Sequence, residues 1–169
     1  MKKLLMLLLF PLLLQGCTKE EKYVDISYVD ISYVMSVWVS DELGNDLLDP
    51  SSASPKAVDT SKLNLYYVMN GKEVLFYRPY LDYPKGLSVY PPGGNHTRYQ
   101  LDVGVNIESE ERITTSILKW EDGHRDVFKA EIYRNGSIVH LHKVWVNDSL
   151  IWDPANKIGG REPIYKITR

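Results

Sequence analysis

The chain holds a single cysteine, Cys17, in 169 residues. No disulfide can form within it, so any fold must be held by its core and hydrogen bonds. Neither sign of charge is in marked excess. Twenty Lys and Arg face 22 Asp and Glu, for a formal charge of −2. No basic stripe offers a footprint for nucleic acid, and none is expected as a partner. Phenylalanine is rare, at three copies against 12 tyrosines and four tryptophans. Aromatic rings with a polar handle suit half-buried strands and rims. The one long apolar run, residues 4–14, is about 11 residues, short of the roughly 20 a membrane-spanning helix needs. There is no Gly-x-Ser-x-Gly elbow and no phosphate-cradling glycine loop. The chain is therefore read as a non-enzyme with no cofactor.

What is present starts at Lys2 and Lys3, ahead of the apolar run. Residues 4–14 have no polar face, which a helix on a soluble domain would need. A basic start, a short apolar run and small residues after it read as a secretory signal. The run ends in Leu14-Gln15-Gly16-Cys17. This resembles the lipobox of bacterial lipoproteins. The resemblance implies cleavage before Cys17, a diacylglyceryl thioether on it and an acylated new N-terminus. Each buried CH₂ of such chains is worth about 0.8 kcal/mol, so the membrane is the expected partner through the lipid on Cys17. Cys17 is then an anchor and not a catalytic thiol. Loss of Lys2 and Lys3 takes the formal charge from −2 to −4. Lys19-Glu20-Glu21 resembles the charged signal that sends lipoproteins of Bacteroidota to the outer face of the outer membrane; read plainly, it is a solvated linker. The expected division is 1–16 signal peptide, 17–28 lipidated cysteine and tether, 29–169 one β-sandwich domain.

Residues 23–34 read YVDISYVDISYV, a pentad written twice and begun again. Side chains on a strand alternate, so an odd repeat sends equivalent residues to opposite faces. The second copy continues as Val29, Ile31, Tyr33, Met35, Val37 and Val39 at alternate positions, which predicts one half-buried strand over 29–39. The first copy is read as surplus tether. Asn70-Gly71 and Asn135-Gly136 each separate two apolar runs, the strongest short hairpin signal. Further strands are expected at 63–69, 72–77, 87–90, 98–107, 112–120, 126–134, 137–147, 150–152 and 163–168. Roughly nine short strands and no convincing helix predict an all-β, antiparallel sandwich, immunoglobulin-like or related. Residues 37–50 and 144–154 echo one another, each leaving a strand through an Asp-containing turn to Asp-Pro.

The lipobox, then GNDLLDP at 44–50, YYVMNGKEV at 66–74, ILKWEDGHRDVF at 117–128 and KVWVNDSLIWD at 143–153 together resemble a family of small lipoproteins of gut and oral Bacteroidota. That family carries no assigned reaction. The resemblance implies a location and a fold, and no catalytic residues.

Chemistry-bearing residues are few. Tyr77, Tyr80, Tyr83 and Tyr90 crowd one loop with Arg78, Asp82 and Lys85. Exposed rings beside polar groups suit a sugar; the same rings can instead pin a loop to the core. His140 and His142, two apart on a strand, share a face and offer two metal ligands, with His124 or Glu131 as a third; otherwise they belong to a mixed sheet face. Asp41, Asn45, Asp46 and Asp49 gather oxygens that calcium could use, or that turns use unaided. Glu121 and Asp126 could serve as a glycosidase pair, or lie solvated across a turn. Asp148-Ser149-Leu150 resembles a Bacteroidota O-glycosylation site at Ser149. The expected function is a surface lipoprotein of the outer membrane that binds a glycan or an envelope protein, or serves as an envelope accessory module. The alternative is an envelope hydrolase or inhibitor acting through the 77–90 loop.

Overall fold

The computed structural model describes residues 29–94 and 96–169. The expected signal and tether, Cys17 and the first pentad copy lie outside the described residues. The strands are β1 Asp30–Ser32, β2 Val34–Ser40, β3 Asn64–Met69, β4 Lys72–Leu75, β5 Leu87–Tyr90, β6 Gln100–Gly104, β7 Ile113–Lys119, β8 Arg125–Asn135, β9 Ile138–Val146, β10 Ser149–Trp152 and β11 Ile164–Thr168. Among the described residues the helical segments are two 3-10 turns, Thr60–Lys62 and Pro154–Asn156.

Two sheets result. One has seven strands, in the order β1-β9-β8-β7-β3-β4 with β10 also on β9. The other has four, β11-β2-β6-β5. The chain is thus all-β and sandwich-like, as expected. The sheets are mixed rather than wholly antiparallel, because β1 joins β9 and β11 joins β2 in parallel. Both parallel pairs join segments distant in sequence, where no tight hairpin dictates direction.

A single hydrophobic cluster draws on both sheets. Met35, Val37, Val39, Leu101 and Val103 come from the small one; Leu65, Leu118, Phe128, Val144 and Val146 come from the large one. All ten are buried. Burying a side chain of this size contributes roughly 1.5–3 kcal/mol before entropy is counted.

The expected single strand over 29–39 breaks at Tyr33. β1 belongs to the large sheet and β2 to the small one, so the chain changes sheets there. Tyr33 carries the crossing: its carbonyl accepts from Val105 N at 2.9 Å, and its ring occupies the space beside Gly104. The apolar alternation holds from Met35 onward, while Val29 and Ile31 are 62% and 50% exposed. The hairpin at Asn70-Gly71 has the positive φ of both residues, 51° and 74°. At the second hairpin Asn135 still pairs with Ile138, so the turn is Gly136-Ser137, one residue later than expected. A further tight turn, Asn147-Asp148 at φ 48° and 65°, joins β9 to β10.

Two buried polar groups cross between the sheets near the end of β6. The Tyr67 hydroxyl donates towards the carbonyls of Gly104 and Val105 at 3.2 and 3.3 Å, and burial pushes its phenol far above the ordinary range. Asn106 is fully buried. Its backbone N–H donates to Ser116 Oγ at 2.7 Å and its Nδ2 to the Val68 carbonyl at 3.1 Å. Its Oδ1 accepts from the backbone of Glu108 and Ser109 at 3.1 and 3.2 Å. An orphaned buried polar group costs about 1–3 kcal/mol. Asn106→Ala strands several, and is expected to lower the unfolding free energy by about 2–4 kcal/mol in urea titration. A midpoint unchanged from wild type would show that Asn106 ties nothing.

Candidate functional site

β6 lies inside the small sheet and alternates cleanly. Leu101 and Val103 point to the core; Gln100 and Asp102 point the other way. β5 sets Ser88 opposite Asp102 and Tyr90 opposite Gln100. β2 sets Ser36 opposite Asp102 and Val37 opposite Leu101, so Trp38 comes next to Gln100. Hydrogen bonds link this face: Trp38 Nε1 to Gln100 Oε1 at 3.4 Å, Gln100 Nε2 to Asp102 Oδ1 at 2.7 Å, and Ser36 Oγ to the same Oδ1 at 2.9 Å.

A cleft of about 260 Å³ opens at one end of the face, lined in part by Tyr33, Asp82, Tyr83, Ser88, Tyr90 and Asp102. The Tyr83 and Tyr90 rings meet edge to face, 6.4 Å apart at 66°. Their hydroxyls share a hydrogen bond of 3.0 Å. Both rings stay exposed, at 48% and 41%. The hydrogen bond to Tyr90 is the chief cause that raises the Tyr83 phenol above its ordinary value.

The loop that carries Tyr83 is pinned by the very cations expected to meet a ligand. Arg78 pairs with both carboxylate oxygens of Glu108, at 2.9 and 2.6 Å, and lies 5.0 Å over the Phe76 ring. Lys85 Nζ donates to the carbonyls of Ser61 and Leu63 at 2.6 and 3.3 Å. Gly86, at φ 67°, seats the loop's end where a Cβ would stand 2.9 Å from Leu65. Tyr77 and Tyr80 are exposed but line neither this cleft nor its rim. Of the four loop tyrosines, Tyr83 and Tyr90 are the two brought together.

The other sequence candidates fall apart spatially. β9 bulges at His142, since Glu131 pairs with Lys143 while Ile132 pairs with Leu141. The bulge takes His142 out of the cross-strand register, while Leu141 between the two histidines stays buried. His140 Nε2 lies 3.3 Å from Asp30 Oδ2. Glu131 is held by Arg112, and His124 Nε2 lies 3.7 Å from Asp126 Oδ1. Among the described residues no three His, Cys, Asp or Glu side chains gather as a metal would require. The Asp-rich turn is likewise self-satisfied. Asp41 accepts from Leu43 N and from both nitrogens of Asn45, Asp46 from Leu48 N and Tyr99 N, Asp49 from Ser51 N and Oγ. These bonds, led by the side chains of Asn45 and Ser51, hold Asp41 and Asp49 below the usual aspartate range. Ser149 stands exposed at the start of β10.

Glu121 and Asp126 do not converge. Asp126 is buried, accepting from Trp120 Nε1 at 2.7 Å and Asn147 Nδ2 at 2.8 Å, while Glu121 points outward to Lys62. Beside them lies a larger depression of about 680 Å³, walled in part by Trp120, His124 and Arg169. The Arg169 guanidinium stacks 4.1 Å over Trp120 and bonds Asp122 at 3.1 Å. This depression was not foreseen, because its walls come from three distant stretches. Trp38 was also missed, although the alternation that buries Val37 and Val39 puts it on the opposite face.

Comparison with protein-family models, with characterised proteins and with solved structures finds no match for this chain.

A phenol whose proton is held in the folded state adds stability below its unfolded pKa, near 10, and loses it as pH rises through the raised native value. Tyr83 is therefore expected to titrate above free tyrosine in NMR of Cζ-labelled protein, and Tyr90→Phe to bring it back towards the ordinary value. Identical Tyr83 titration in both proteins would mean that the shared hydrogen bond is absent in solution.

Proposed function

We propose that this chain is a lipid-anchored surface lipoprotein whose sandwich is a non-enzymatic binding module, with the Tyr83–Tyr90 cleft as its contact for a glycan. The observation that carries the reading is the pair of exposed, mutually bonded tyrosines over a cleft floored by Asp102 and Ser88. A sugar offers an apolar ring face and a rim of hydroxyls. The tyrosine rings match the first, and the carboxylate and hydroxyls match the second. The anchor rests on residues 2–17 and their likeness to a lipoprotein signal. Display on the outer membrane rests on Lys19-Glu20-Glu21 and on the likeness to small Bacteroidota lipoproteins. An exposed Ser149 fits an acceptor for glycosylation after export. The hydrolase alternative finds no support in Glu121 and Asp126, whose carboxylates serve Lys62 and the Trp120 indole instead.

The test uses the full chain in detergent micelles, on a glycan array and in pull-downs from envelope extract. Wild type is expected to bind a defined glycan set and Tyr83→Ala/Tyr90→Ala to lose it. Cys17→Ser is expected to leave the membrane fraction. An array without binding, with one envelope protein retained equally by wild type and the double variant, would reject the glycan reading. Membrane retention of Cys17→Ser would reject the anchor.

A further inference from the structure

Trp38 lies outside the tyrosine cleft but on the same sheet face. Adjacent strands are about 4.8 Å apart, so the backbones at Tyr90 and Trp38, two strands apart, are separated by roughly 10 Å. Lys166 of β11 sits opposite Trp38 and continues the row by one more strand. A parallel row carries Ser88, Asp102 and Ser36. The floor between the aromatic ends is polar and already ordered. Ser36 and Gln100 are 7% and 9% exposed, each bonded to Asp102. Beyond Trp38 the surface dips again, into a depression of about 440 Å³ walled in part by His96, Arg161, Glu162, Ile164 and Lys166.

We infer that the outer face of the four-stranded sheet is one groove, running from Tyr83 and Tyr90 to Trp38 and Lys166, and that it takes a linear, uncharged polysaccharide segment rather than a single sugar. The inference rests on the glycan reading above and adds its ligand class. Length is the first argument. Two aromatic anchors roughly 10 Å apart suit alternate rings of an extended pyranose chain and exceed what a single ring can touch. Charge is the second. Asp82 and Asp102 line the cleft, Lys166 alone offsets them from the last strand, and Arg161 and Glu162 cancel at the far end. A polyanion would meet no net positive counterpart, and its charges would face the two cleft carboxylates. A hydroxyl, which both donates and accepts, can satisfy a carboxylate, an amide and an ammonium in succession. Rigidity is the third. The bonds from Trp38 through Gln100 to Asp102 and Ser36 hold the floor in place before any ligand arrives. Lys166 Nζ lies 5.1 Å from the Trp38 ring centroid. Such an exposed contact is weak and its stem long, so the ammonium can turn to a sugar's hydroxyls while the ring takes the indole face. The centre of a protein interface is depleted in charged side chains, whereas this face carries Asp102 and Lys166.

The test is calorimetric titration of the full chain in detergent micelles. Probes are cello-, laminari-, manno-, xylo- and chitohexaose, the matching disaccharides, and a hexamer of galacturonate as a charged control. At least one neutral hexaose is expected to bind, more tightly than its disaccharide. Trp38→Ala should weaken the hexaose by about tenfold and leave the disaccharide unchanged, with Trp38→Phe keeping most of the affinity. Lys166→Ala, an exposed change, should weaken the hexaose by about threefold and serves where Trp38→Ala fails to fold. Hexaose binding that ignores both Trp38→Ala and Lys166→Ala but vanishes in Tyr83→Ala/Tyr90→Ala would confine the site to the cleft, overturning this inference and sparing the glycan reading. Preference for the galacturonate hexamer would overturn the uncharged class. No binding of any sugar would overturn both.

Discussion

Asn106 is the point on which the arrangement of the two sheets depends. Its side chain and backbone bond to β3, to β7 and to the turn that follows β6. Apolar burial alone sets no unique offset between two facing sheets, because it is non-directional. Directional bonds inside a dry interface do, since any slip would leave a buried donor or acceptor without a partner. Tyr67 adds a second fixed point close by, reaching the Gly104 and Val105 carbonyls. With the end of β6 held in this way, the side chains along it have a defined inside and outside.

The same alternation then builds the core and the candidate site together. Leu101 and Val103 fill the sandwich, and the residues between them, with their partners on β5 and β2, furnish the outer face. The two roles constrain one another. A one-residue slip of β6 would bury Asp102 and expose the leucine. The loop carrying Tyr83 is attached to this frame by Arg78, Lys85 and Gly86. The cations that the sequence offered as ligand contacts instead hold the aromatic residues in position.

What was legible in the sequence was what local chemistry controls. Alternation at Met35, Val37 and Val39, the Asn70-Gly71 turn and the absence of helical periodicity pointed to strands and a sandwich. What was not legible depended on distant partners. The break at Tyr33 follows from its place beside Gly104, some seventy residues on. The parallel docking of β11 on β2 and the bulge at His142 come from pairings with no signal in their own neighbourhoods. The site was half legible. A loop dense in tyrosine stands out in the sequence, yet nothing local separates Tyr83 and Tyr90 from Tyr77 and Tyr80. That separation comes from β5 pairing with β6, which sets Tyr90 beside the loop's far end.

β1 draws its three residues, Asp-Ile-Ser, from the second copy of a pentad that stands in full immediately before it. Removing either copy leaves the same chain. A duplication or loss of five residues at this point rewrites no letter of the folded domain: β9 is still offered Asp-Ile-Ser, with Tyr-Val after it leading into β2. The stretch of sequence ahead of the domain changes length while the domain's own text stays intact. On the proposed lipid anchor, reach and fold would be separate variables, and the reach would change in whole units of five residues as a copy is gained or lost.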